Sequence, residues 1–101
     1  MYVVIRKLNN MQSVNEAARH AEAILGPLLV QTPGFKGYNI FDTGEGVAGS
    51  VTLFESREVA TAASQQALTW IKENLSHLYE GEPEVVAGEV VGFVAPHHPL
   101  E

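Results

Sequence analysis

The sequence predicts an α+β domain, β-α-β-β-α-β in order, built on one four-stranded antiparallel sheet. Three observations predict it. The stretch 33–56, PGFKGYNIFDTGEGVAGSVTLFES, reads as two strands joined by a glycine-rich turn. A strand-like run and a helical run precede this hairpin, and a helical run and a valine-rich run follow it. Both alternating faces of the strands carry large apolar side chains, so the sheet has two faces to cover.

Taken in order, Tyr2–Leu8 is β-branched and apolar with Arg6 and Lys7 near its end, and is expected as the first strand. Asn9-Asn10 supplies turn chemistry. Ser13-Val14-Asn15-Glu16 forms a capping box, in which the Ser13 hydroxyl accepts from a first-turn N–H and Glu16 reaches back. The first helix follows, with apolar residues at Val14, Ala17, Ala18, Ala21, Ile24, Leu25 and Leu28 in one stripe at about 100° per residue. Gly26-Pro27 interrupts it: proline lacks a backbone donor and its ring crowds the preceding turn. A kink or break is expected there, then a last turn through Val30, ended by Thr32-Pro33-Gly34. Strands are expected over 35–41 and 47–55, with Gly44 and Gly46 in the intervening loop free to take positive φ. Ser56 caps a second helix over 57–78, rich in alanine and without internal proline or glycine. Gly81-Glu82-Pro83 closes that helix, and the valine-rich run 84–94 is the last strand. The domain is thus taken as 1–95 and residues 96–101 as a flexible tail.

This order is the ferredoxin-like, split βαβ pattern. In the hairpin's first strand Phe35, Gly37, Asn39 and Phe41 share one parity, and Lys36, Tyr38, Ile40 and Asp42 the other. In the first strand Tyr2, Val4 and Leu8 oppose Val3 and Ile5; in the last, Val86, Val90 and Val94 oppose Val85, Val91 and Phe93. Helices cover one face. Exposure of the second would leave a larger apolar patch than soluble monomers carry. A second copy packed sheet to sheet is therefore expected, a symmetric homodimer closing as a dimeric α+β barrel.

Composition sets the outer limits. A chain of 101 residues is one domain, and 46% hydrophobic with 18% charged residues is a globular composition. With a net charge of −6 and only 6 scattered Lys and Arg residues, the chain lacks the basic cluster that nucleic acid or an anionic membrane requires. It has no cysteine, which excludes disulfides, thiol nucleophiles and Cys-ligated zinc. MYVVIRKL is too short for a signal peptide and no run is long enough to span a bilayer, so a cytoplasmic location is expected.

PGFKGY, the hairpin, SVTLFESRE at the head of an alanine-rich helix, and a valine-rich last strand preceded by proline together resemble the antibiotic-biosynthesis-monooxygenase-like family. The resemblance covers nearly the whole chain and implies a dimeric α+β barrel of ferredoxin-like subunits. It implies a range of activities: cofactor-free oxygenases of aromatic and quinol-like substrates, haem-degrading enzymes, and members without known activity. The haem-degrading branch carries an Asn near the end of the first strand, a Trp in the strand before the second helix and a His on that helix. Here Asn9 matches the first, Phe54 stands in place of the Trp, and His77 lies at a different spacing.

The candidate site residues centre on the second helix. Trp70 and His77, seven apart, fall about 20° from each other around it, with Gln66 in the same row and Asn74 beside it. The row borders the apolar stripe of Ala60, Ala63, Ala67, Ile71 and Leu78. Trp70 is assigned to stack an aromatic ligand and His77 to act as acid or base, against a bland reading of an edge-of-core Trp and a His favoured at a helix C-terminus. Tyr38 is assigned to hold a substrate oxygen, although tyrosine is also an ordinary strand residue. Arg6 and Lys7 are read as solvated strand-end charges, with an anionic ligand as the alternative. His20, off the apolar stripe of the first helix, is read as solvated or at an interface. His97-His98 makes no metal site, since adjacent residues do not preorganise one, and no cofactor is assigned. Gly44, Gly46 and Gly49 match G-x-G-x-x-G, but between two strands rather than a strand and a helix, so a dinucleotide site is rejected. The expected function is binding of a hydrophobic or aromatic small molecule, as a cofactor-free monooxygenase; the alternative is a non-catalytic ligand-binding or dimerisation module.

Overall fold

The computed structural model of the chain describes residues 1–94. The tail expected over 96–101, with His97 and His98, lies outside the described residues. The elements are β1 (Tyr2–Leu8), α1 (Val14–His20), a π-helical segment (Ala21–Leu25), α2 (Gly26–Val30), β2 (Phe35–Asp42), β3 (Ala48–Phe54), α3 (Arg57–Asn74), a 3-10 turn (Ser76–Leu78) and β4 (Glu84–Glu89). The strands form one antiparallel sheet in the order β2-β3-β1-β4. This is the expected ferredoxin-like arrangement.

Local chemistry sets the boundaries. The Ser13 hydroxyl accepts from the Glu16 N–H at 3.2 Å and the Ser56 hydroxyl from the Val59 N–H at 3.3 Å, each satisfying one of the orphan donors of a first helical turn. In the hairpin loop the Gly44 N–H donates to Asp42 Oδ1 at 2.8 Å, and Gly44 and Gly46 take φ of 89° and 77°. The loop is tied to the start of the first helical arm by the Met11 N–H, which donates to the Gly46 carbonyl at 2.7 Å.

The helical arm from 14 to 30 does not break at Gly26-Pro27. It widens one turn earlier: the Gly26 N–H donates to the Ala21 carbonyl, five residues back. This π turn accommodates the donor that Pro27 lacks and the room its ring needs. It also rephases the arm. Four residues of α-helix overshoot a full turn by about 40°, and the wide turn takes up that drift. Ala17, Ala21, Leu25 and Leu29 therefore stay on the core side, all buried. Ile24 and Leu28, expected in the stripe, are turned out at 49% and 54% exposure.

The hairpin also departs from simple alternation. A β-bulge between Phe35 and Gly37 places two residues of β2 against one step of β3. Phe35 thereby lands on the same face as Tyr38, not the opposite face, and its ring meets Phe54 edge-on at 6.3 Å. Phe41 stays on the far face, opposite Gly49. The second long helix stops at Asn74, and Leu75 and Leu78 enter the core from the cap and the 3-10 turn. The last strand ends at Glu89 rather than continuing to Val94.

Two core clusters fill the space between sheet and helices. One joins Val4, Leu25, Leu29, Phe54 and the Ala60, Ala63, Ala67 face of α3. The other joins Leu8, Met11, Ala17, Ala48, Ile71, Leu75 and Leu78. The opposite face of the sheet is apolar, as expected, and among the described residues no helix lies over it. There Ile5, Phe41 and Val86 are 40%, 46% and 70% exposed.

Candidate functional site

Alternation along β1 turns Tyr2, Val4, Arg6 and Leu8 toward the helices. Arg6 therefore enters the core, and at 5% exposure it is as buried as its apolar neighbours. Its guanidinium spans to α3, where Nη2 donates to the Ser64 hydroxyl at 2.8 Å and to the Ser64 carbonyl at 3.3 Å. Its Nε is buried without a partner. From β2, Tyr38 is set on the same face, half-buried and opposite Thr52 of β3.

Small residues leave open space around this pair. Ala17, Ala18 and Ala21 on the helical arm face Ala48, Gly49 and Ser50 on β3, and a cavity of about 40 Å³ lies among them, closed by Arg6, Leu25, Tyr38 and Ile40. A second space of about 10 Å³ lies on the other side, between Thr52, Phe54, Ala63 and Ser64. Arg6, Leu25 and Tyr38 border both. Tyr38 also borders an open groove of about 580 Å³ at the edge of β2, with Glu22, Gly26, Pro27, Phe35 and Gly37. It is thus the side chain common to the outer groove and both interior spaces.

Burial sets the electrostatics. Desolvation lowers the Arg6 pKa, and proximity to Tyr38 works the other way; a guanidinium stays charged nonetheless. Burial raises the Tyr38 pKa, Arg6 opposes the rise, and Glu22 adds to it. At neutral pH the pair is a fixed cation beside a neutral phenol, set in largely apolar walls. Such a pair can donate hydrogen bonds and stabilise negative charge; it cannot act as a base. Among the described residues no group of three or more His, Cys, Asp or Glu is placed to hold a metal ion.

Of the residues assigned from sequence, Tyr38 stands at the cavity. Phe54 lines the smaller space but is 1% exposed and packs as core. Of the row expected on the second helix, Gln66, Trp70 and Asn74 lie on α3 and His77 does not. His77 lies beyond the end of α3 in the 3-10 turn and is exposed, because the chain turns at Leu75 (ψ 0°) to bury Leu75 and Leu78. Trp70 packs against both core clusters and, with the exposed Gln66, borders an outer depression beside Leu28 and Glu73. Asn74 is exposed and donates to the Trp70 carbonyl at 2.9 Å. Asn9 donates to Glu84 Oε2 at 2.6 Å. Neither Asn9 nor His77 borders the interior spaces. Arg6 is the residue the strand-end reading misplaced. Its shared parity with Val4 and Leu8 was the signal that it faces the core.

No family model and no curated protein matches the chain. Solved structures do. A monooxygenase from the gene ActVA-Orf6 of Streptomyces coelicolor, in complex with Nanaomycin D, superposes with a TM-score of 0.77 at 16% identity, over 95% of this chain and 92% of that one. A Nitrosomonas europaea protein provisionally described as an antibiotic biosynthesis monooxygenase gives 0.72 at 19%, over 91% and 100%. SnoaB, a cofactor-independent oxygenase from Streptomyces nogalater, gives 0.70 at 10%, over 94% and 98%. At these identities the likeness is one of fold, and the fold is the one the sequence resemblance implied.

Proposed function

We propose that the protein binds a hydrophobic, aromatic or quinone-like small molecule at the Tyr38–Arg6 cavity, and acts on it as a cofactor-free monooxygenase. One observation carries the reading: in a cavity with largely apolar walls, the only ionisable side chains among the described residues are a fixed cation and a phenol. The fold neighbours described as a monooxygenase and a cofactor-independent oxygenase support the reaction class. Aromatic ligands fill sites of about 300–1,000 Å³. The groove beside β2 has that size, whereas the inner cavity has room for a few waters. In this reading the ring lies in the groove and a polar end passes Tyr38 toward Arg6. Tyr38 donates a hydrogen bond to a substrate oxygen. Arg6 stabilises the substrate anion, which reacts with oxygen by virtue of its own carbanion character.

The rival is a binding module without catalysis. Its support is that, among the described residues, no carboxylate or imidazole borders the inner cavity to serve as a base. Oxygen uptake with metal- and flavin-free protein and a panel of aromatic quinols and hydroxyquinones separates the two. Oxygen consumption that falls at least tenfold in Tyr38→Phe is the expected outcome. Binding by calorimetry without consumption establishes the rival, and neither binding nor consumption removes both.

The homodimer belongs to the same proposal. The exposed Ile5, Phe41 and Val86 on the open sheet face support a second copy packed sheet to sheet. A cytoplasmic location fits a chain that has no cysteine and, among the described residues, no helix long and apolar enough to cross a membrane; recovery of the protein in a secreted or envelope fraction would contradict it.

A further inference from the structure

The ion pairs of the described residues are Lys7–Glu84, His20–Glu16 and Lys72–Glu82, all at the surface. Arg6 is in none of them. It is the cation that is buried, and its hydrogen-bond partners are two oxygens of one neutral residue, Ser64. A guanidinium has five N–H donors. Two contacts from Nη2 leave the fork largely unused, and Nε is buried and unpartnered. An uncompensated buried charge is costly, and breaking its pair ordinarily destabilises a protein severely. Among the described residues none pairs with this one. Both interior spaces end on it, and apolar walls strengthen any charge interaction made there.

We infer that Arg6 is an anion-binding residue, and that the molecule taken at this cavity is an aromatic acid that enters already ionised, as a carboxylate or an ionised enol. The inference rests on reading the cavity as a ligand site and sharpens it to a substrate class. The planar fork of Arg6 faces an oxyanion with charge-assisted hydrogen bonds. Ser64 holds the fork from α3, and Tyr38 supplies a neutral donor from β2. Among the described residues no base lines the inner cavity, and Glu22 lies out at the groove, so an enol that arrives ionised needs no proton abstraction at Arg6, and a carboxylate serves for binding alone. The competing role is structural: Arg6 as a brace between β1 and α3 through Ser64.

Matched probes decide between them. Calorimetry would compare 2-naphthoate with 2-naphthamide, and 2-hydroxy-1,4-naphthoquinone with its 2-methoxy ether, on the wild-type chain at neutral pH. The expected result is that each ionised member binds about tenfold or more tightly than its neutral partner. Arg6→Met should abolish that preference while keeping the neutral members' affinity, and Arg6→Lys, which keeps the charge but not the fork, should restore part of it. Equal binding of both members by the wild type overturns the inference and leaves the ligand site standing. Binding of neither member of either pair removes the ligand site and the inference with it. The wild-type comparison stands even where Arg6→Met fails to fold. An anion preference that survives Arg6→Met in a folded variant assigns Arg6 to the brace.

Discussion

Arg6 and Tyr38 face one cavity and contribute differently to stability. Without ligand, Arg6 is a buried charge held by one serine. Replacing buried charge by an apolar residue of similar volume is often neutral or stabilising, by about 1–4 kcal/mol. Arg6→Met is therefore expected to raise or preserve the urea midpoint of the ligand-free protein; a loss beyond about 1 kcal/mol would mean the Ser64 contacts matter more than the desolvation. Tyr38 gives a pH signature of opposite character. Its pKa is raised, chiefly by burial, from an ordinary value of 10.0. The stability held in its neutral phenol is fully present below the unfolded value and is lost as pH rises through the folded one. Stability of the wild type is expected to fall at alkaline pH more steeply than that of Tyr38→Phe. Parallel denaturation curves for the two at successive alkaline pH values would contradict this.

At the scale of elements, short-range chemistry read true and long-range packing altered the rest. Ser56→Ala should cost about 0.5–2 kcal/mol, since it frees the Val59 N–H at the start of α3. Gly34 joins the helical arm to β2 with φ of 87°, and an added Cβ there would meet Glu55 and Val59 at 3.3 Å. Gly34→Ala is expected to cost about 1–2 kcal/mol from the left-handed backbone alone and more from those contacts; thermal denaturation checks both variants. Capping serines and turn glycines were legible because each acts within three or four residues of itself. The π turn was not, although its cause was: Gly26-Pro27 announced a disturbance, and only packing of Leu25 and Leu29 against the sheet decided that the arm would widen rather than break. The same holds for the bulge at Phe35. Alternation set it opposite Tyr38, and the pull of Phe54 and the core put both on one face.

For the whole molecule, the unpartnered sheet face is the dominant feature. Sedimentation is expected to show a dimer that dissociates in the double variant Ile5→Lys, Val86→Lys, whose substitutions add charge to the β1–β4 side of that face while leaving the helix-side cavity intact. A wild-type monomer, or an unaffected double variant, would rule out sheet-to-sheet pairing. Gly49 offers a milder probe. The Phe41 ring lies over it closely enough that any Cβ would collide, so Gly49→Ala should displace the ring and weaken the same association.

By itself the sequence determined the order of elements, the antiparallel sheet, the caps and the two apolar faces. These follow from periodicity and turn chemistry, which are local, and from a bulk property, the amount of apolar surface to be covered. The tertiary structure decided which residues meet at the candidate site. Arg6, Tyr38 and Ser64 come from β1, β2 and α3, and nothing in their spacing along the chain marks them as neighbours. Helical spacing alone aligns Trp70, Gln66, Asn74 and His77, and the structure keeps the first three on α3 and takes His77 off it. The helix ended at Asn74 when Leu75 and Leu78 turned into the core. Helical periodicity can place side chains on a common face only as far as the helix runs, and tertiary packing decided where it stopped and which face enclosed a cavity.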